Sequence, residues 1–189
     1  MISIVAYQSA WPAEFHSLAA DLCAALGSLA GRIDHIGSTA VPGLAAKDII
    51  DIQVTVADLS EPLELALTGA GYRRVLRIGQ DHVPPGWKGD EAEWRKWFFK
   101  PAAGQRAVHV HVRMAGRANQ RYPLLFRDYL RANPNAAAAY ARVKIELAKH
   151  HPADIEAFCD IKDPVCDIIM CAAEAWATDT KWEISPAGR

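Results

Sequence analysis

Two segments of alternating apolar and polar residues most constrain how this 189-residue chain can fold. Segment 49–56 reads Ile-Ile-Asp-Ile-Gln-Val-Thr-Val, and segment 107–114 reads Ala-Val-His-Val-His-Val-Arg-Met. Side chains alternate between the two faces of a β-strand, so each segment predicts a strand with one apolar and one polar face. If both strands belong to one sheet, their apolar faces cover the core together and their polar faces form one wall. That wall carries Asp51, Gln53, Thr55, His109, His111 and Arg113.

The rest of the chain predicts strands only in the first two thirds, with helices along its whole length. Apolar spacing and turn residues predict helices at 11–29, 62–70, 119–132, 135–150 and 153–178, and further strands at 32–36, 72–78 and 94–100. Asp163 and Pro164 predict a break in the last helix, because aspartate caps helices and proline favours their first turn. We therefore expect one domain over 1–189 of class α+β (α/β). It has a mixed sheet core at about 30–115 and a helical C-terminal part at about 118–178.

Composition excludes several classes of protein. Hydrophobic residues make up 51%, and 21 basic residues balance 22 acidic ones to a net charge of −1. These values argue against a disordered or membrane-spanning chain, and against a protein that coats nucleic acid by charge. The first residues lack the pattern of an export signal, and the four cysteines lack a C-x-x-C spacing. We expect a cytoplasmic protein with buried thiols.

The polar wall carries groups that can do chemistry. His109 and His111 share a face, and with Asp51 they are candidates for acid–base catalysis or for binding a divalent metal such as Mg²⁺, Mn²⁺ or Zn²⁺. The alternative is that the sheet has a wet side on which these residues are solvated and idle.

The Gly37-Ser38 turn is a candidate phosphate site, because glycine permits close backbone approach and serine offers a hydroxyl and an N–H. Gly-Ser is also a common turn, and the chain has neither a P-loop nor a G-x-S-x-G motif. Basic and aromatic residues interleave in the middle third, which suits nucleobase stacking and RNA binding, or basic stems that cover the core. A second basic group on the later helices predicts a solvated helix face; it comprises Arg121, Arg127, Arg131, Arg142 and Lys144.

Segment 35–52, His-Ile-Gly-Ser-Thr-Ala-Val-Pro-Gly-Leu-Ala-Ala-Lys-Asp-Ile-Ile-Asp-Ile, closely resembles the GrpB family. The domain of that family also occurs fused to dephospho-CoA kinase in some bacteria. The resemblance spans about residues 7–177. Further matching motifs are Trp11-Pro12, segment 81–84, Arg95-Lys96, segment 109–112 and segment 124–131.

The resemblance implies a nucleotidyltransferase-like fold. In that superfamily, a Gly-Ser after the first strand holds nucleotide phosphates, and carboxylates on neighbouring strands hold two Mg²⁺ ions. Gly37 and Ser38 match the first element and Asp51 matches the first acid, whereas Gln53 stands in the place of the second. The third position falls on the strand with His109 and His111. Replacing carboxylates with an amide and imidazoles shifts the ligand preference toward Zn²⁺, Mn²⁺ or Fe²⁺, or toward no metal.

Two functions follow as expectations. The first is a nucleotidyltransferase-like protein that binds a nucleotide or another phosphorylated small molecule. In it Ser38 and Arg106 contact phosphate, Lys96 neutralises charge, and Asp51, His109 and His111 bind metal or act as acid and base. The second is a non-catalytic accessory module for a partner protein, with the CoA pathway as a candidate. Under either function we expect the partner to be a small phosphorylated ligand or another protein, rather than nucleic acid or a membrane.

Overall fold

A computed structural model describes residues 1–185 as a mixed sheet with helices on both faces. In chain order the elements are α1 (Trp11–Leu26), β1 (Arg32–Ile36), β2 (Ile50–Val56), α2 (Glu61–Gly69), β3 (Tyr72–Arg74), β4 (Trp97–Pro101), β5 (Val108–Met114), α3 (Ala118–Ala132), α4 (Pro134–His150) and α5 (Ile155–Thr180). Short 3₁₀ turns occupy Gly27–Leu29, Ser38–Ala40 and Glu91–Trp94. The predicted fold class is confirmed.

The sheet order β1-β2-β5-β4-β3 places the two alternating segments side by side. Strands β2 and β5 are parallel, whereas the other neighbouring pairs are antiparallel. Asp51 lies opposite His109, and Gln53 lies opposite His111. The polar faces of β2 and β5 therefore form one wall, as the alternation predicts.

The apolar face of the sheet packs against α1 and α2. Ile52 and Val110 are fully buried there, in one cluster with Leu22 of α1 and Leu67 of α2. Removing these branched side chains from water is the main favourable term that holds the two helices on the sheet. The packing also orients the sheet, because it leaves only the polar wall to face the C-terminal helices.

The polar wall is covered by helices rather than by water. Gln53 has no exposed surface, and Arg113 is 4% exposed. The Gln53 side chain donates from Nε2 to the backbone carbonyl of Gln120 in α3, at 2.9 Å. The alternative of a wet, idle face is therefore wrong for this part of the wall.

The predicted break in the last helix is wrong, because α5 continues through Pro164. Proline in a helix interior removes the N–H that would bond to the carbonyl four residues earlier, and its ring crowds that carbonyl, which together cost about 3 kcal/mol. Phe158, Cys166 and Met170 on either side of it are buried, so packing holds both halves of the helix in line. Asp163 pairs with Lys162 instead of capping, and the N-cap is Asp154, which accepts from the N–H of Ala157.

Two further expectations need correction. Strand β3 ends at Arg74 rather than at 78, and β4 begins at Trp97 because Trp94 belongs to the preceding 3₁₀ turn. Of the four cysteines, all free, Cys166 is buried, whereas Cys23 and Cys171 are exposed. No helix within residues 1–185 is both long and apolar enough to cross a membrane.

Candidate functional site

A cavity of about 430 Å³ lies between the polar wall and the C-terminal helices. The structure brings most of the predicted site residues to it and leaves Arg106 outside its lining. Those that line it are Gly37, Ser38, Asp51, Lys96, His109 and His111.

Asp51, His109 and His111 form the centre of the cavity wall. Oδ1 of Asp51 lies 3.1 Å from Nδ1 of His109 and 3.6 Å from Nε2 of His111. One ligand atom from each of the three residues lies within 4.8 Å of the others, which is close enough to hold one metal ion. A carboxylate with two imidazoles is a ligand set typical of Zn²⁺, Mn²⁺ or Fe²⁺.

Burial and local charges together determine the protonation of Asp51 and His111. Burial raises the pKa of Asp51, but hydrogen bonds with His109 and His111 outweigh it and hold that pKa well below its ordinary value. Burial and the positive charge of nearby Lys96 and Arg113 lower the pKa of His111 to about 3, against the opposing effect of Asp51. At neutral pH the centre therefore offers an ionised carboxylate and a neutral His111 imidazole.

The turn after β1 contacts the Asp51 carboxylate. Gly37 has φ of +71°, and a Cβ built on it would lie 2.5 Å from Oδ2 of Asp51. Only glycine fits here, because a side chain would suffer both the left-handed backbone and the clash. This contact places Ser38, the next residue, at the same end of the cavity as the Asp51 carboxylate.

Asp81 completes the other side of the site, although sequence reasoning did not select it. Its carboxylate accepts hydrogen bonds from Lys96 at 2.5 Å, from Arg113 at 2.8 and 2.9 Å, and from Asn119 at 3.0 Å. Lys96 lies in the cavity as predicted, but its charge is already paired. The sequence held a signal, since Asp81 lies in the Gly- and Pro-rich loop at 79–90 and begins segment 81–84, one of the motifs that resemble the GrpB family.

Gln53 is held in place by its neighbours on both sides. Its Oε1 accepts from Nη1 of Arg113 at 2.8 Å, while its Nε2 donates to Gln120. Both polar ends of the amide are therefore engaged, and Gln53 supplies no ligand atom in the place of the second acid.

Lys144 reaches the cavity from α4, contrary to the prediction of a solvated helix face. Its Nζ donates to Oγ of Ser38 at 2.7 Å and to the carbonyl of Ala45 at 2.6 Å. The sequence held a signal, because Tyr140, Lys144 and Leu147 recur at helical spacing and all three are buried. Arg127 is also buried, where it donates to the His35 carbonyl, whereas Arg142 is exposed as expected.

Arg106 and the basic residue Arg74 have structural partners. Arg106 forms ion pairs with Glu14 and Asp48, and Asp48 also accepts from the Trp11 indole. Arg74 stacks on Trp97 at 3.9 Å and pairs with Glu64 across the edge of the sheet. For Arg74, the prediction of a basic side chain whose stem covers the core therefore fits better than the prediction of a nucleobase contact.

Comparisons with known proteins identify the family of this chain. A family model described as GrpB protein matches residues 1–171. A dephospho-CoA kinase from Mycolicibacterium paratuberculosis is 38% identical over 187 residues, covering 92% of this chain and 46% of the kinase. A UPF0157 protein from Pseudomonas aeruginosa is 37% identical, covering 92% of this chain and 68% of that protein. The chain spans about half the length of the dephospho-CoA kinases it matches.

A solved structure supports the same assignment. The crystal structure of conserved protein GrpB from Enterococcus faecalis aligns with a TM-score of 0.71 and 31% identity. The alignment covers 92% of this chain and 99% of that one. Together with the family match over 1–171, it confirms the resemblance seen in segment 35–52, and the chain belongs to the GrpB family.

Proposed function

We propose that this chain binds a nucleotide or another phosphorylated small molecule in the cavity, next to a divalent metal ion held by Asp51, His109 and His111. The observation that carries the proposal is the convergence of these three ligand atoms within 4.8 Å, beside the Gly37-Ser38 turn. Along the chain the turn comes first, followed by Asp51 on β2 and then the histidines on β5. This is the order that a nucleotidyltransferase-like fold implies. A bound divalent ion supplies positive charge that binds and polarises phosphate oxygens.

The donor set, one carboxylate and two imidazoles, favours one Zn²⁺, Mn²⁺ or Fe²⁺ ion over two Mg²⁺ ions. Mg²⁺ prefers several oxygen ligands, and Gln53 in the place of a second carboxylate is engaged with Arg113 and Gln120. Within the set, Asp51 and His109 are the stronger ligands. Binding through Nε2 of His111 would put the ring proton on Nδ1, which lies 3.4 Å from the donors Lys96 and Arg113. We therefore propose that the function of the cavity is to bind the phosphorylated ligand. Transferase activity would be a separate proposal.

Isothermal titration calorimetry with each nucleoside triphosphate, in the presence of Mg²⁺, Mn²⁺ or Zn²⁺, tests the proposal. We expect nucleotide binding that is stronger with Mn²⁺ or Zn²⁺ than with Mg²⁺. Asp51→Asn and His109→Gln should each lower the affinity about tenfold or more, and His111→Gln should lower it less. Asp21→Asn, an exposed carboxylate on α1, is the matched control. Absence of binding by the wild-type chain at millimolar nucleotide contradicts the proposal.

The observation that favours an accessory module is that Gln53 replaces an acid while relatives named dephospho-CoA kinase are about twice as long as this chain. Such a module would bind a dephospho-CoA kinase through its outer surface. Size-exclusion chromatography of the two purified proteins tests it. We then expect a complex that Asp51→Asn leaves intact, and finding no complex contradicts this second proposal.

A further inference from the structure

Lys144 is a buried cation with only neutral acceptors. Its side chain crosses from α4 to the Gly37-Ser38 turn, where Nζ donates to Oγ of Ser38 and to the carbonyl of Ala45. The residue is 4% exposed and lines the cavity. Among residues 1–185, no carboxylate oxygen lies within 4.0 Å of this amine.

Three other cations that line the cavity have carboxylate partners. Lys96 and Arg113 share the Asp81 carboxylate, and Lys162 pairs with Asp163. A charged amine taken out of water without an anionic partner is destabilised. Burial accordingly lowers the pKa of Lys144 to about 7, so its ammonium form is only partly populated near neutral pH. An anionic ligand group beside Ser38 would stabilise that ammonium form.

We infer that Lys144 is the residue that binds the phosphate of the ligand, and that it takes up a proton from solvent as the phosphate arrives at Ser38. The inference rests on the proposed function and deepens it by assigning the anion to one end of the cavity. The only bond change is one proton transfer: a buffer acid or hydronium ion in solvent gives up a proton, and a third N–H bond forms at Nζ. No covalent bond forms between the protein and the ligand. The site then favours a multiply charged phosphate ester over a monocarboxylate, because two or more anionic charges compensate the buried amine better than one.

The surroundings of Lys144 support an anion at this end. Lys47 and Lys162 oppose the charging of Lys144, and their own positive charge attracts an anion to this end of the cavity, while the Asp51 carboxylate favours that charging. The ring centroid of Tyr140 lies 4.7 Å from Nζ. The groups that face Lys144 are Lys47 before β2, Asp51 on β2, Tyr140 on α4, and Lys162 and Cys166 on α5.

Calorimetry with inorganic pyrophosphate, without metal at pH 8, tests the inference. Titrations in Tris and in HEPES, which differ in ionisation enthalpy, measure the protons taken up on binding. For the wild-type chain we expect uptake of up to about one proton, and affinity that falls as pH rises from 6 to 9. Lys144→Arg should bind without this uptake, because a guanidinium is charged at every pH used. The titration of pyrophosphate itself is common to both proteins and cancels in the comparison.

Lys144→Met should weaken pyrophosphate binding about tenfold or more, because charge-assisted hydrogen bonds are lost. Lys149→Met, which removes an exposed lysine from the same helix, should leave binding unchanged. Circular dichroism establishes whether Lys144→Met folds, and if it does not, Lys144→Arg carries the test.

Each contrary outcome has a defined meaning. Equal affinity for Lys144→Met and wild type, or equal proton uptake for Lys144→Arg and wild type, overturns the inference. If the wild-type chain binds nucleotides with Mn²⁺ but not pyrophosphate, and Lys144→Met binds those nucleotides equally well, the inference fails while the proposed function stands. If the wild-type chain binds neither nucleotides nor pyrophosphate, both the inference and the proposed function fail.

Discussion

At the scale of single residues, Gly37 connects the backbone of one loop to the chemistry of the next strand. The turn after β1 approaches the Asp51 carboxylate so closely that a Cβ at Gly37 would lie 2.5 Å from Oδ2. The positive φ of Gly37 is shared by Gly43 later in the same loop, but a Cβ at Gly43 would meet nothing within 4 Å. Alanine at position 43 would therefore introduce backbone strain alone, whereas alanine at position 37 would introduce both strain and a clash with the carboxylate.

Gly37→Ala should displace Asp51 and weaken Mn²⁺ or Zn²⁺ binding by the chain about tenfold or more. Both Gly37→Ala and Gly43→Ala should lose about 1–2 kcal/mol of unfolding free energy, because alanine is strained at positive φ. Calorimetry measures the metal affinity, and urea denaturation measures the stability. Equal metal affinities for the two variants would show that the Gly37 contact does not position the carboxylate.

At the scale of elements, α5 shows how packing overrides a local signal. Asp163-Pro164 is a typical helix start, yet the helix runs from Ile155 to Thr180 because residues on both sides are buried. Pro164 is exposed, so the helix loses one backbone hydrogen bond there and gains no core contacts in return.

Pro164→Ala should therefore raise the free energy of unfolding by about 2 kcal/mol, since the gain of a helical hydrogen bond exceeds the added entropy of the unfolded chain. Pro134→Ala is the matched control, because Pro134 occupies the first turn of α4, where proline is favourable. Urea denaturation of both variants measures the difference. A loss of stability in Pro164→Ala as large as that in Pro134→Ala would contradict the explanation.

At the scale of the whole molecule, two histidines on different strands, His35 buried and His111 half-buried, couple folding to pH. His35 of β1 stacks on Phe15 and has its pKa lowered to about 4 by burial, with Asp51 opposing and Arg131 and Arg127 contributing. His111 has its pKa lowered to about 3. Both are neutral in the folded chain at pH 5, whereas the unfolded chain protonates them below about pH 6.5.

The free energy of unfolding should be independent of these groups above pH 6.5 and should fall as pH decreases from 6.5 toward 4. The limiting slope is about 1.4 kcal/mol per pH unit for each histidine, because only the unfolded chain binds the proton. Asp51 and Asp81, whose pKa values are lowered in the fold, lose their contribution only below about pH 3.8.

Urea denaturation at pH 7.0, 5.5 and 4.5 measures this dependence. His35→Gln should reduce the slope by about half, and His150→Gln, an exposed histidine, should not change it. A flat profile between pH 7.0 and 4.5 would show that the fold does not resist protonation of these two histidines.

The sequence by itself determined which two strands have a polar face and which side chains lie on it. Alternation in 49–56 and 107–114 assigns each side chain to a face, because the period of a strand is two whatever surrounds it. Asp51, His109 and His111 therefore all lie on polar faces, whatever the register between the two strands. Segment 35–52 likewise identified the family.

Only the tertiary structure decided what covers that wall and which cations remain without a counter-charge. Lys144 meets Ser38 across 106 residues of sequence, and Asp81 meets Arg113 across 32. No local pattern encodes such contacts, because they depend on how α3 to α5 pack over the sheet and on where the loop after β3 returns. Packing thus buried Lys144 without a carboxylate, paired Lys96 with Asp81, and held Arg106 with Glu14 and Asp48 outside the cavity.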